Sequence, residues 1–207
     1  MRKFVLIFLI IPSILIAQND VNEVVVIKSD KQMEEFTSSL GQNELKIDFL
    51  DLLMFPALTV GYEKTNNSSS GFGATLFLNL GSSDEDIGSY YDNKFVITPY
   101  YRFYFTKSED FGSKGFFAEV FSKFAFGESQ NFLLNGLGIN TYETDNYFDI
   151  APGLAVGNKW INRKGFTFEL LFGLGRNLLY DPDDNNGNNG GRSIGVARGG
   201  FSIGKRF

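Results

Sequence analysis

The side chains able to do chemistry in this chain are carboxylates, lysines, arginines and tyrosines, because its 207 residues include no His and no Cys. Ser-His-Asp and Cys-His nucleophile arrangements and most zinc sites depend on those two residue types. Two carboxylates could still act as general acid and base, but they would need a cleft, and the sequence indicates none. We therefore expect no catalytic, cofactor-binding or metal-binding residues, and we predict that the protein is not an enzyme.

Two short motifs resemble ligand-binding loops. Gly173-x-Gly175 lacks the third glycine of a dinucleotide-binding turn and falls in a predicted strand, where close packing is the better explanation. The segment from Asp181 to Gly187 is acidic like a calcium loop. Its sixth position is Asn186 and its twelfth is Arg192, where a calcium loop has Gly and Glu. A flexible acidic loop is therefore favoured, with a weak divalent-ion site as the alternative.

The elements that carry the polar residues have the pattern of β-strands. Phe and Tyr favour strands, and the chain has 23 Phe and 9 Tyr against one Trp. From residue 44 onward, apolar residues alternate with polar or small ones in eight segments, each near the ~9–11 residues of a membrane strand. The segments are 44–54, 57–65, 70–80, 94–106, 114–126, 147–161, 165–177 and 193–207. This pattern predicts an all-β fold, an eight-stranded antiparallel up-and-down transmembrane β-barrel.

The connections between these segments alternate in length. The third, fifth and seventh are long, at 81–93, 127–146 and 178–192, whereas the second, fourth and sixth are short. Outer-membrane barrels have long extracellular loops, short periplasmic turns and an even number of strands. The short first connection, at 55–56, does not fit this rule. The other connections predict a location in the bacterial outer membrane with both termini in the periplasm.

The N-terminal region lies outside the predicted barrel, which covers residues 44–207. Residues 1–17 resemble a secretory signal peptide, with two basic residues, an apolar run and a small residue at the end. An uncleaved anchor is the alternative, but the run is short for the ~20 residues of a spanning helix. Residues 18–43 are predicted to form a periplasmic extension. Ser29 and Gln32 resemble a capping box for a short helix, and a loose tail is the alternative.

Composition excludes two further classes. Without Cys, the chain can carry neither a disulfide nor a lipid attached to an N-terminal cysteine. The formal net charge is −5, and no basic cluster is present, which argues against a nucleic-acid partner. We therefore expect an exported, non-lipidated protein that does not bind nucleic acid.

Charged residues and glycines share one face of the predicted strands. A Lys or Arg facing mid-bilayer lipid costs roughly 2–4 kcal/mol, so we expect this face to line the lumen. The glycines, Gly153 and Gly157 among them, would make room for large side chains, since eight strands enclose little space. The predicted lumen charge network contains Lys46, Asp48, Glu63, Arg102, Glu119, Lys123, Asp149, Lys159, Glu169, Arg198 and Arg206. A salt-bridged core that fills the lumen is favoured over a charged conduit.

The last strand alternates down to its final aromatic residue. Phe201, Ile203 and Phe207 are predicted to face lipid and to form the signal read by the barrel-assembly machinery. Segments such as Gly157-Asn-Lys-Trp160 and Gly165-Phe-Thr-Phe-Glu-Leu170 show the same pattern. In these residues the chain resembles the small outer-membrane β-barrel proteins of unknown function, the OmpA/OmpX-type eight-stranded barrels. The resemblance implies outer-membrane lipid and the assembly machinery as partners, and it implies no activity.

The predicted loop 127–146 carries apolar residues where solvent is expected, namely Phe132, Leu133, Leu134, Leu137 and Ile139. They would either contact a partner or pack on one another in strands that extend above the membrane. The predicted function is a structural or interaction role, displaying extracellular loops or acting as an accessory subunit of a larger outer-membrane protein complex. A small channel or hydrophobic-solute transporter through the lumen is the alternative.

Overall fold

The chain folds into a closed barrel of eight antiparallel strands, each paired with the next along the sequence. The computed structural model describes residues 40–54, 56–67, 69–81, 93–105, 113–134, 140–162, 164–180 and 193–207, with the backbone alone for 54, 67, 129–134 and 140–145. The strands are β1 (Asn43–Asp48), β2 (Ala57–Asn67), β3 (Ser70–Asn79), β4 (Asn93–Tyr104), β5 (Gly115–Leu134), β6 (Asn140–Ile161), β7 (Phe166–Arg176) and β8 (Gly195–Arg206). The predicted all-β, eight-stranded antiparallel barrel is confirmed.

A short helix, α1 (Phe49–Met54), replaces the second half of the predicted first strand. The prediction of a strand over 44–54 is therefore wrong beyond Asp48. Leucine and methionine favour helices, and the Asp48 Oδ1 atom accepts a hydrogen bond from the Leu50 backbone N–H at 2.9 Å. This contact caps the first turn of α1. Within the described ranges, no helix is long and apolar enough to cross a membrane.

The predicted loop 127–146 is wrong as well, because β5 and β6 continue through most of it. Their pairing runs from Gly127 opposite Tyr147 to Leu134 opposite Asn140. Strand β4 accompanies β5 only as far as Gly127. The remainder, called here the β5–β6 ribbon (residues 128–134 and 140–146), is two-stranded. Sequence reasoning missed it because it assumed strands no longer than a membrane crossing, and the alternative of extended strands describes the backbone correctly.

Strands β1 and β8 close the barrel at the end that holds residues 43 and 207. Their pairing runs from Glu44 opposite Arg206 to Asp48 opposite Ser202. The backbones of Asn43 and Phe207 exchange two further hydrogen bonds, of 3.1 and 2.8 Å. We call this the terminal end of the barrel. Because the strands run alternately up and down, α1 and the β5–β6 ribbon lie at the opposite end, the distal end.

The two faces of the wall differ in polarity. On β7, Phe166, Phe168, Leu170, Phe172 and Leu174 are exposed on the outside, whereas Thr167 and Glu169 are buried inside. Glycines provide room for the interior side chains. A Cβ at Gly153 would lie 2.4 Å from Cζ of Phe121, and one at Gly157 would lie 2.4 Å from Cζ of Phe117. The interior is therefore a packed core in which large rings occupy the space above glycines.

Candidate functional site in the barrel interior

A network of ion pairs lies inside the barrel, centred on Glu63 of β2. Its carboxylate Oε2 accepts hydrogen bonds from Nη1 of Arg102 at 2.7 Å and from Nζ of Lys159 at 2.9 Å. Nζ of Lys46 lies 3.3 Å from the same oxygen. The Tyr104 hydroxyl donates to Oε1 at 2.5 Å. Glu63 is fully buried, so these cations supply the stabilisation that water gives to an exposed carboxylate.

Arg102 of β4 joins three carboxylates. Its Nε donates to Oε2 of Glu119 at 2.7 Å, and its Nη atoms donate to Glu169 at 2.6 and 2.8 Å. The guanidinium lies over the rings of Tyr100 and Phe117, 4.4 and 4.3 Å from the two centroids. A planar guanidinium suits this combination of forked hydrogen bonds and ring stacking. Arg102 thus connects the walls formed by β2, β5 and β7.

Glu44 of β1 forms the part of the network nearest the terminal end. It accepts a hydrogen bond from Lys159 Nζ at 3.2 Å and another from the Thr167 hydroxyl at 3.1 Å. Arg206 Nη2 lies 3.5 Å from Glu44 and donates to the Ser113 carbonyl at 3.2 Å. The last charged residue of β8 is therefore tied to β1 and to the segment just before β5.

Arg198 of β8 extends the network toward the distal end. Its Nε donates to Oε1 of Glu119 at 2.8 Å, and its Nη1 donates to the Thr75 hydroxyl at 3.2 Å. We use the name interior network for the set of residues joined by these ion pairs. It consists of Glu44, Lys46, Glu63, Arg102, Glu119, Lys159, Glu169, Arg198 and Arg206.

Three of the eleven sequence-predicted lumen charges lie beside the network instead of in it. Asp48 accepts hydrogen bonds from backbone N–H groups of α1 and β8 and from the Ser202 hydroxyl at 3.1 Å. Asp149 is buried and interacts electrostatically with Lys123. The Lys123 ammonium has no hydrogen bond and no ion pair with any residue in the described ranges. The structure thus brings eight of the predicted residues together and leaves the Lys123 ammonium without a hydrogen bond or ion pair among the described residues.

Sequence reasoning missed several polar contributors. Glu44 alternates with Lys46 and Asp48, so strand parity alone would have placed it in the interior. The hydrogen bond from the Tyr104 hydroxyl to Glu63 joins two strands that are not neighbours, so it depends on the barrel radius. The position of Asp51 could not be predicted, because the sequence pattern did not predict α1.

Three carboxylates of the network are close enough to suggest a metal site. Oxygen atoms of Glu44, Glu63 and Glu169 lie within 4.8 Å of one another. Lysine and arginine nitrogens already donate to all three, with Lys159 Nζ 3.2, 2.9 and 3.6 Å from them. A cluster neutralised by protein cations needs no metal ion, so the arrangement fits a structural role. The acidic segment from Asp181 lies outside the described residues.

A cavity of about 110 Å³ adjoins the interior network on its distal side. This space has room for several water molecules. Both the wall strands and α1 contribute to its lining. The residues lining it beyond the network include Asp48, Asp51, Thr59, Thr75, Phe77, Asn93, Val96, Thr98, Lys123, Leu171, Ala197, Gly199 and Ser202.

Asp51 of α1 reaches into this cavity. Its Oδ2 accepts a hydrogen bond from the Thr59 hydroxyl at 2.6 Å. Burial raises the pKa of the Asp51 carboxyl, the Thr59 hydrogen bond partly offsets this effect, and the negative charge of Asp48 adds to it. The helix thus places a carboxyl with an altered protonation equilibrium next to the cavity.

The other sequence-predicted residues lie on the outer surface or outside the described ranges. Ile203 and Phe207 are exposed on the outside of β8, and Phe201 is half-buried there. Phe132, Leu133 and Leu134 belong to β5 in the ribbon. Leu137 and Ile139 lie outside the described residues. Comparison with protein-family models, with curated proteins and with solved structures finds no match for this chain.

Proposed function

We propose that this protein is an outer-membrane β-barrel with a structural or interaction role. The observation that carries the proposal is the inverted polarity of the wall, with charges buried inside and aromatic and aliphatic side chains exposed outside. A water-soluble barrel would place these groups the other way round. Turning the six interior cations outward into lipid would cost roughly 2–4 kcal/mol each at mid-bilayer.

The height of the apolar surface supports this proposal. On β7 the exposed apolar series runs from Phe166 to Leu174, and the next outward residue is the charged Arg176. Eight residue steps of about 3.3 Å, tilted by about 40°, correspond to roughly 20 Å along the barrel axis. Outer-membrane barrels have an apolar band of about 25 Å. Other exposed lysines, such as Lys94 and Lys205, also lie near strand ends.

The interior network argues for a barrel that does not conduct. Arg102, Glu63 and Glu169 are at most 3% exposed and join opposite walls. Ions passing along the lumen would have to break several buried ion pairs at once, and breaking one such pair costs about 3–5 kcal/mol. The experiment is planar-bilayer recording with the pure protein. We expect no steady single-channel currents, and steady currents would refute the filled core and favour the channel alternative.

The orientation of the barrel in the membrane is proposed from its N-terminal and C-terminal residues. In this proposal, residues 1–17 direct export, residues 18–43 stay in the periplasm, and the barrel-assembly machinery recognises β8 together with Phe207 and inserts the chain. The terminal end faces the periplasm and the distal end faces outward. Protease added to whole cells should cut the β5–β6 ribbon while leaving an epitope at residue 20 intact.

The β5–β6 ribbon is the element best suited to contact a partner. It projects beyond the pairing with β4, and it includes Phe132, Leu133 and Leu134. Two-stranded ribbons offer free backbone edges to which another chain can add a strand. An accessory subunit should co-purify with a larger outer-membrane protein in mild detergent through an epitope inserted in 181–192. Recovery as a lone monomer would count against a complex.

A further inference from the structure

The barrel wall is incomplete on the distal side of β1. Strand β1 ends at Asp48, opposite Ser202 of β8 and Thr59 of β2. Strand β8 continues for seven more residues to Gly195, paired throughout with β7 on its other side. Among the described residues, no strand pairs with this stretch on the side facing β2. Helix α1 lies there in place of a strand, and we call the position the β8–β2 gap.

Backbone groups of β8 face this gap. The Phe207 N–H donates to β1, whereas the Arg206 N–H donates to the β7 side, so odd-numbered residues point toward β1. Accordingly, the Phe201 N–H donates to Asp48 Oδ1 at 3.2 Å. By the same alternation, Gly199 and Ala197 direct their backbone groups into the gap. Unpaired backbone groups do not face hydrocarbon unless they line a water-filled or protein-filled space.

The interior cavity extends to this gap. Its lining includes the inward Arg198 together with its neighbours Ala197 and Gly199, which belong to the opposite, outward face of β8. Helix α1 covers the gap loosely. A Cβ at Gly199 would lie 3.9 Å from Cδ2 of Leu50, which is in ordinary van der Waals contact. Leu53 of the same helix is 80% exposed. The cavity therefore borders the surface that lipid would cover.

The charged side chains that line the cavity favour an anionic ligand. The acceptors already have donors, since Asp48 accepts three hydrogen bonds and Asp51 accepts one from Thr59. Arg198 is bound to Glu119 and Thr75. Lys123 lines the cavity and has no direct partner among the described residues, with Asp51, Asp149 and Arg198 as its charged neighbours. The lining thus offers an unused hydrogen-bond donor with a positive charge.

We propose that the β8–β2 gap is a lateral port that admits a single-chain amphiphile with a carboxylate or phosphate head. The head binds Lys123 in the cavity, and the acyl chain leaves through the gap between α1 and β8, over Gly199 and Ala197. The small residues leave space for the chain, and Leu50 and Leu53 give it an apolar contact. This proposal rests on the membrane location proposed above.

The first test uses the barrel in lipid nanodiscs and a sixteen-carbon fatty acid that bears a photoreactive diazirine. We expect saturable labelling of residues 49–54 and 195–201, read by peptide mass spectrometry. Lys123→Gln should weaken labelling by about tenfold, the effect of losing one ion pair. Lys94→Gln, which removes the same charge from an exposed position at the distal rim, should not change it. Even labelling of the whole outer surface, or no effect of Lys123→Gln, would overturn the proposal.

The second test closes the gap. The chain has no native cysteine, so Leu50→Cys with Gly199→Cys introduces one thiol pair across it. Oxidation should abolish labelling and reduction should restore it. The pair Leu76→Cys with Ile97→Cys, which are opposite each other on β3 and β4, is the control lock and should have no effect. Equal labelling with the gap locked or open would contradict a lateral port.

A competition experiment distinguishes an amphiphile with an anionic head from a free small anion. Dodecanoate should displace the photoreactive probe far better than acetate or inorganic phosphate does. Equal displacement by acetate or phosphate would mean a site for free small anions and would overturn the amphiphile assignment. Heat-modifiable mobility on gels identifies the folded barrel in every sample. A folded, membrane-inserted barrel without labelling refutes only the port, whereas a chain that never enters the membrane refutes the proposed function.

Discussion

Arg102 of β4 holds Glu169 of β7 through two parallel hydrogen bonds, with Nη1–Oε2 at 2.6 Å and Nη2–Oε1 at 2.8 Å. The two strands are three positions apart in the eight-stranded order, so the contact crosses the lumen instead of following the wall. Forked contacts of this kind are among the strongest in proteins. This pair therefore links β4 and β7 across the lumen and fixes the distance between them.

Replacing Arg102 by Met should strongly destabilise the barrel. The change leaves three buried carboxylates with fewer cations, and loss of one member of a buried ion pair costs about 3–5 kcal/mol. Lys94→Met is the control, because its pair with Glu128 is exposed and is worth no more than about 1 kcal/mol. Urea unfolding in lipid vesicles measures both. Similar losses for the two variants would contradict a central role for Arg102.

Valine at Gly157 should destabilise the barrel, whereas valine at Gly195 should not. A Cβ at Gly157 would meet Cζ of Phe117 at 2.4 Å and the Leu170 carbonyl oxygen at 2.5 Å. Overpacking of this kind costs typically about 1–3 kcal/mol. At Gly195 no atom lies within 4 Å of the added carbon. Unfolding midpoints in urea would show the difference, and a tolerant Gly157 would mean that the interior is not closely packed.

Asp51→Asn should make stability less dependent on pH. The folded-state pKa of Asp51 is raised mainly by burial, so the folded protein binds a proton that the unfolded chain releases near 3.8. The contribution of Asp51 to the free energy of unfolding is therefore fully present below pH 3.8. It is lost as the pH rises through the raised pKa of the folded state.

The asparagine variant should consequently gain stability relative to the wild type as pH increases from 3 to 7, with the two proteins converging at the acidic end. Unfolding midpoints in urea across this range provide the measurement. Asn at this position still accepts the Thr59 hydrogen bond, so the comparison isolates the charge. A variant that loses stability at neutral pH would show that the charged carboxyl is needed.

Shortening the β5–β6 ribbon should leave the barrel intact. Replacing residues 131–143 by an Asn-Gly turn joins Gln130 to Thr144, which are paired in the native register, and this dipeptide suits a tight hairpin. The removed residues pair only with each other among the described residues, so the unfolding midpoint should shift little. Co-purification with the larger outer-membrane protein proposed above should be lost. A folding defect in the shortened chain would assign the ribbon to the core.

Deletion of Phe207 and its substitution by Ala should have different effects. Deletion removes two backbone hydrogen bonds to Asn43 and should slow both refolding into vesicles and insertion in cells. Phe207→Ala keeps those bonds and removes only the exposed ring. It should refold normally in vesicles but insert poorly in cells, if the assembly machinery reads the aromatic. Normal insertion of the deletion variant would exclude the predicted assembly signal.

Strand number, pairing and wall polarity could be predicted because period-two alternation is a local property of the chain. The face of Lys46, Glu63 and Arg102 follows from it directly. The contacts between strands that are not neighbours, such as Lys159 with Glu63, could not be predicted, because they cross the lumen and depend on strand stagger. The long reach of Arg102 to Glu169 is such a case.

The two incorrect predictions, a strand over residues 49–54 and a loop over residues 127–146, have different causes. Residues 49–54 are apolar except for Asp51, a pattern that fits a strand or a helix, and the Asp48 cap decided in favour of the helix. Residues 128–146 lack the clean apolar–polar alternation of the other strands, so the sequence pattern predicted a loop there. The cavity and the β8–β2 gap follow from the early end of β1 and were therefore beyond the reach of the sequence pattern.

The pairing of β1 with β8 also has a kinetic consequence. It joins residues as far apart as Glu44 and Arg206, 162 positions in sequence, by five pairs, whereas the local β5–β6 hairpin has twenty. Contacts between distant residues form slowly, because the chain between them must first be ordered. We expect the hairpin to form early and ring closure to be the last, rate-limiting event. Until then Glu44 and Arg206 remain hydrated, and their ion pair forms only when the first and last strands meet.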